Sequence, residues 1–231
     1  MPDRPVDPVH EAESLFVAAA DRAGPALTEL ADELALTTIK EKHLQKKFRA
    51  ALEQLAAQAT PPATVSPSLA HGLKSEWPKL GNFDISLAWG ELEVFGELKC
   101  GESDLTLSAC GWDAAKCAFC LNHNVGVGML LLAAAPVAMW ITRGVGIELL
   151  SDGEWDMADI RKRYAAGFRV WEGDGYKPEY VYRRLRTFEV SRTKPFRIGR
   201  TPWLIGLSRV ETVDSERMEW PPLRAVTQAR Q

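Results

Sequence analysis

Residues 81–100, "GNFDISLAWGELEVFGELKC", carry an aspartate, a glutamate and a lysine whose spacing suits chemistry. Twelve residues separate Asp84 from Glu97, and Lys99 follows Glu97 by two. Two carboxylates can share one divalent cation through oxygen ligands. Mg²⁺ suits them because it keeps several waters and takes only one or two carboxylates. An amine beside such a cation can orient or help deprotonate a water, or neutralise charge developing on a phosphate. Together these groups read as a centre for phosphodiester hydrolysis.

The elements that must position them follow from alternation. With Trp89-Gly90 as a two-residue turn, the stretch predicts a hairpin in which residue 88 faces 91 and Asp84 faces Phe95. Phe83, Ile85, Leu87, Leu92, Val94 and Leu98 then share an apolar face, which pins the register. Asp84, Ser86, Glu91, Glu93, Phe95, Glu97 and Lys99 share the other. In that register Asp84 lies diagonally from Glu97, about 7–8 Å away between Cα atoms. A wet hairpin face with a surface Glu97–Lys99 pair is the competing explanation. The apolar run at 125–142, "VGVGMLLLAAAPVAMWIT", weighs against it, since a fully buried strand implies a covered sheet where charges need a reason.

"FDISL" followed by "GELK", with a helix on each side, resembles the PD-(D/E)XK phosphodiesterase superfamily, the restriction-endonuclease-like nucleases. The resemblance covers roughly residues 37–135, and Phe83-Asp84 stands where the family has Pro-Asp. It implies that Asp84 and Glu97 hold Mg²⁺ (or Mn²⁺), that the carbonyl of Leu98 adds a ligand, and that Lys99 assists the attacking water. It also implies a further glutamate on the preceding helix, for which Glu41 is the candidate. Glu41 precedes Leu44 by three residues and Phe48 by seven, so it shares their stripe, although an acid in a first helical turn is also favoured by the helix dipole. On the following helix Trp112, Lys116 and Cys120 share a face. Lys116 could meet a phosphate there, or run its stem out to solvent.

Charge is uneven along the chain. Its formal net charge is −3, yet residues 158–200 hold twelve Lys/Arg against five Asp/Glu. Within that segment Arg183, Arg184, Arg186, Arg192, Lys194 and Arg197 interleave with Tyr180, Tyr182, Phe188 and Phe196. Cations neutralise phosphates and aromatics stack on unpaired bases, but an ordinary amphipathic strand gives the same alternation. Cys117-x-x-Cys120 with His123 suggests a metal site, against which small buried thiols are common. The four cysteines, and an opening "MPDRPVDPVHEAES" without a basic-then-apolar leader, predict reduced thiols in a cytoplasmic protein. Gly126, Gly128 and Pro136 argue against a membrane span in the apolar run. Dinucleotide, phosphate-loop, nucleophile-elbow and zinc-protease motifs are all missing from the sequence.

Helices are expected over 11–22, 26–57 and 156–166, an irregular connection over 59–68, strands within 180–210 and a peripheral tail beyond. The expected architecture is an α/β, restriction-endonuclease-like three-layer sandwich around a mixed sheet. It comprises an N-terminal helical extension (1–36), a nuclease-like core (37–150) and a C-terminal helix and strands (151–231) packed on the same domain. The expected activity is Mg²⁺-dependent cleavage of DNA, with RNA less favoured. Target choice would lie in a protein partner or in the C-terminal region, and a homodimer is compatible with the sequence. The alternative is a nuclease-like fold that binds nucleic acid or protein without cutting.

Overall fold

The computed structural model describes residues 8–68, 83–90, 92–101, 105, 109–111, 113, 114, 117, 121, 128–142, 147–156 and 184–212. Two helices open the chain, α1 (Pro8–Glu33) and α2 (Glu41–Gln58). Ala12, Phe16, Ala19, Ala23 and Leu27 form the buried stripe of α1, and Leu44, Phe48 and Leu52 that of α2. Phe16 and Phe48 meet with ring centroids 5.7 Å apart.

The helix boundary differs from the expected break near residue 25. Pro25 lies inside α1, and the chain turns ten residues later. There the Leu36 N–H donates to Ala31 O (2.8 Å) and the Ala35 N–H to Asp32 O (3.3 Å), with Ala35 at φ 49°. This is the paired bonding of a Schellman stop, which ordinarily puts glycine at the left-handed position. With alanine there, the sequence hides its own boundary. Ala35→Gly is expected to raise stability by about 1 kcal/mol, read as a higher denaturant midpoint with unchanged slope.

The strands are β1 (Thr64–Ser68), β2 (Phe83–Trp89), β3 (Leu92–Cys100), β4 (Gly128–Pro136), β5 (Gly153–Asp156), β6 (Arg184–Arg192), β7 (Phe196–Ile198) and β8 (Thr201–Thr212). They build one eight-stranded mixed sheet in the order β1-β2-β3-β4-β8-β6-β5, with β7 paired to β8. β3 and β4 run parallel, which requires a crossover. Helical residues 109–111, 113, 114, 117 and 121 lie in it. β1 replaces part of the connection expected over 59–68, its Thr64 and Val65 pairing with Ala88 and Leu87. The apolar run expected as one buried strand over 125–142 ends as a strand at Pro136, and a short helix, α3 (Val137–Ile141), follows. Proline, which cannot donate within a helix, caps its start instead. The helix expected over 156–166 lies outside the described residues, save Asp156 at the end of β5.

One face of the sheet receives both helices. Ile85, Leu87, Val94, Leu98, Leu130, Leu132, Ile205 and Leu207 join the α1 and α2 stripes in a single buried cluster. Each such side chain contributes about 1.5–3 kcal/mol on burial, so this layer fixes the hairpin's direction. A half-buried ion pair ties α1 to β8, with Arg209 Nη1 donating to Glu13 Oε1 (3.1 Å) and Oε2 (3.3 Å). No helix among the described residues is long and apolar enough to cross a membrane.

Candidate active site

The hairpin closes at Trp89↔Leu92 with Gly90 at φ 64° in the turn, so the turn is one residue later than expected. Gly90 is the first central residue of the turn instead of the second. Ser86, not Asp84, therefore faces Phe95. A shift of this kind leaves the apolar face intact and changes only who is opposite whom.

A second departure places Asp84. The β1–β2 register slips between Ser66↔Ser86 and Ser68↔Phe83. Phe83 then packs on Phe95, centroids 4.8 Å apart, instead of joining the face of Ile85 and Leu87. The β2–β3 ladder is paired as far as Ile85↔Gly96. One step on, the Leu98 N–H donates to Asp84 Oδ2 at 2.7 Å. Strand amides point along the sheet, so this carboxylate sits where a β2 carbonyl would have continued the ladder. It does not stand upright on the Glu97–Lys99 face as strict alternation predicted. Its other oxygen accepts from the Gln45 amide of α2 (3.3 Å), which also reaches Asp84 O (3.4 Å).

Lys99 leans to the backbone of the same residue. Its ammonium donates to Leu98 O (3.2 Å), pairs with Asp113 Oδ2 at 2.7 Å and lies 3.8 Å from Glu41 Oε2. Asp113 is 5% exposed and Glu97 4% exposed. The Leu98 backbone is thus the hub. Asp84 takes its N–H, Lys99 its carbonyl, and Glu41 and Asp113 flank the amine from two helical segments. Glu41, expected at the site on its stripe, is brought there.

Burial alone would push the Lys99 amine towards neutrality, but Asp113, Glu41 and Glu97 outweigh it and raise its pKa well above the usual lysine range. The amine is accordingly an ammonium throughout neutral pH, fit to donate and to stabilise negative charge but not to remove a proton from water. Raised in the folded state, it contributes stability fully below the unfolded value of about 10.4, lost only as pH climbs through the folded value. In metal-free native protein Lys99 is expected to resist amine acylation at mildly alkaline pH and to react once the chain is unfolded. Peptide mapping by mass spectrometry would read this, and ready native labelling would contradict it.

Two residues of this arrangement carry no motif. Gln45 follows Glu41 by four on α2, one helical turn along the same face. Asp113 sits among Cys110, Ala114 and Cys117, all buried. These fall at i, i+3, i+4 and i+7, so a lone acid within a stripe of small residues was the available signal. Cys110 is no nucleophile, since burial and neighbouring Asp113 push its thiol up to about 12. Cys100, Cys110 and Cys117 are buried thiols. Lys116, Trp112, Cys120 and His123 lie outside the described residues.

Hard oxygen donors are what this set offers. Asp84, Glu97 and the Leu98 carbonyl, which keeps a second lone pair beside its Lys99 bond, fit Mg²⁺ better than a softer ion. Among the described residues no group of three or more His, Cys, Asp and Glu is placed to hold a metal ion. A groove of about 540 Å³ opens beside Asp84, walled by Lys42, Gln45, Lys46 and Arg49 of α2. A second, of about 630 Å³, lies past the end of β3, between Thr37–Lys40, Gly101, Pro136, Thr201 and Trp203.

The C-terminal cations are spread out. Arg192↔Gly206 and Gly206↔Ala133 put Arg192 in the row of Lys99, three strands away, about 14 Å. Arg184 and Arg186 pair with Asp156 and Glu154 along β5, in rows towards the other end of the sheet. Arg184 is bonded to Glu154 (2.7 Å) and Arg192 to Glu189 (2.6 Å). Phe188, offered as a stacking platform, is covered by the guanidinium groups of Arg186 (4.5 Å) and Arg209 (5.1 Å). Lys194, before the short β7, and Arg197, within it, are exposed. Arg183, Tyr180 and Tyr182 lie outside the described residues.

No protein-family model, curated protein or solved structure matches this chain.

Proposed function

We propose that the protein is a Mg²⁺-dependent (or Mn²⁺-dependent) nuclease that hydrolyses DNA phosphodiester bonds on a restriction-endonuclease-like three-layer framework. The observation that carries the reading is that Asp84 and Lys99 meet at the backbone of Leu98, with Glu41 3.8 Å from the Lys99 amine and buried Glu97 next in the strand. Helix, antiparallel hairpin, helical crossover and parallel apolar strand surround it, the same frame that carries the sequence resemblance.

Each side chain has a defined task. Asp84 and Glu97 would hold the cation, with the Leu98 carbonyl adjoining. Bound Mg²⁺ supplies Lewis-acid polarisation of the scissile phosphate. Lys99, locked as an ammonium, donates to a phosphate oxygen or orients water where negative charge develops. Asp113 is a positioning residue that holds the amine, and Gln45 does the same for Asp84. Glu41, within reach of the amine, is the group available to accept a proton from water.

One observation favours the alternative, a nuclease-like fold that binds without cutting. Asp84 and Lys99 both serve the structure, the first as a backbone acceptor and the second in a close pair with Asp113. The deciding experiment incubates purified protein with supercoiled DNA. Nicking in Mg²⁺ or Mn²⁺ that stops with EDTA is the expected result. Binding with no cleavage under either ion would favour the second reading. A target-selecting protein partner, a homodimer and cytoplasmic residence belong to the same proposal.

A further inference from the structure

The segment Lys40–Arg49, "KEKHLQKKFR", holds five Lys/Arg against a single acid in a chain of net charge −3. Lys42, Lys46 and Arg49 recur at i, i+4 and i+7, which sets them on one face of α2. That face walls the groove beside Asp84. Lys42 and Lys46 are exposed and make no ion pair among the described residues. Arg49 bonds Glu53 at 2.8 Å, with both side chains partly in solvent, an exchangeable partner. Like charges this dense repel one another and cost stability unless a polyanion neutralises them.

We propose that this cationic face of α2 is the nucleic-acid track, on which a DNA backbone lies along Lys42, Lys46 and Arg49 and is delivered to Asp84. The three cations span about 10 Å of helix, matching about three base-pair steps of one strand. A polynucleotide fits better than an acidic protein because the track runs to a carboxylate that the hydrolytic reading assigns to cation binding. The proposal rests on that reading only for this end point; the cation row stands without it. The local potential is also felt by His43, whose pKa is lowered by burial and by Lys42 and Lys40. Arg184 and Arg192 of β6 hold acids in similarly exposed pairs, but they do not line the groove beside Asp84.

The test measures binding of a short labelled DNA duplex in EDTA, across a salt series. The wild-type protein is compared with Lys42→Gln/Lys46→Gln/Arg49→Gln and with Arg184→Gln/Arg186→Gln/Arg192→Gln. The α2 variant is expected to bind about 10- to 100-fold more weakly and to lose about 2–3 from its log–log salt slope. The β6 variant should keep the wild-type slope. Unchanged affinity and slope in the α2 variant would overturn the proposal, as would displacement of the DNA by polyglutamate at equal charge concentration. A matching thermal midpoint for the three proteins separates binding from folding. If wild type nicks DNA in Mg²⁺ while binding ignores α2, this inference fails and the hydrolytic reading survives. If binding depends on α2 and no ion supports cleavage, the reverse holds.

Discussion

Lys99→Ala is expected to lower Mg²⁺-dependent DNA cleavage by at least about 10²–10³-fold, the usual cost of removing one donor aimed at developing charge. The same change should destabilise the protein by about 3–5 kcal/mol, because it strands Asp113 as an uncompensated buried charge. Lys99 and Asp113 side chains are 17% and 7% exposed, so little solvent screens the pair. The two effects separate in the double variant Lys99→Met/Asp113→Leu. A buried ion pair exchanged for apolar groups of similar volume is commonly neutral or stabilising by about 1–4 kcal/mol. Stability should therefore return while activity stays lost. Denaturant unfolding and plasmid nicking on the same three proteins decide the matter. Wild-type cleavage by Lys99→Ala would remove the lysine from the chemistry, and wild-type stability would show that Asp113 does not depend on it.

Asp84 divides the same way. Asp84→Asn retains an oxygen to accept the Leu98 N–H, so its unfolding midpoint should stay within about 1 kcal/mol of wild type. It loses the charge that attracts a cation. The thermal midpoint of wild-type protein should rise with Mg²⁺ concentration by mass action, and that rise should be absent or shifted to much higher Mg²⁺ in the variant. Cleavage should fall by about 10²-fold or more. Asp84→Ala goes further, since Leu98 N–H and the Gln45 amide both lose their acceptor, at about 1–3 kcal/mol. An Asn variant with the wild-type Mg²⁺ response would show that Asp84 serves only the ladder.

That double duty explains why alternation misplaced Asp84. Period-two reasoning assumes an unbroken ladder, and the slip between Ser66 and Ser68 breaks it one residue from the aspartate. No residue type in "GNFD" announces the slip. The turn erred for a related reason, since "AWGE" admits glycine at either central position and only the closing pair Trp89↔Leu92 chooses. The α1–α2 boundary escaped because alanine occupies the left-handed stop where glycine would have marked it.

Asp113 and Gln45 show the wider limit. Neither has a motif, and both matter through where a helix lands. The proton held by Lys99 is likewise set by three carboxylates from three parts of the chain, with Asp113 foremost.

By its order of residues alone, this protein determined an apolar-backed hairpin, the apolar stripe of α2, a buried apolar strand and the short interval between an aspartate, a glutamate and a lysine. Those follow from periodicity, which is local. Only the tertiary structure decided that Asp84 lies within the sheet, that Lys99 is an ammonium clasped by Asp113, and that a cationic helix face borders the groove at Asp84. Such facts depend on register and on the distance between segments far apart in the chain, and hydrophobic pattern leaves both free.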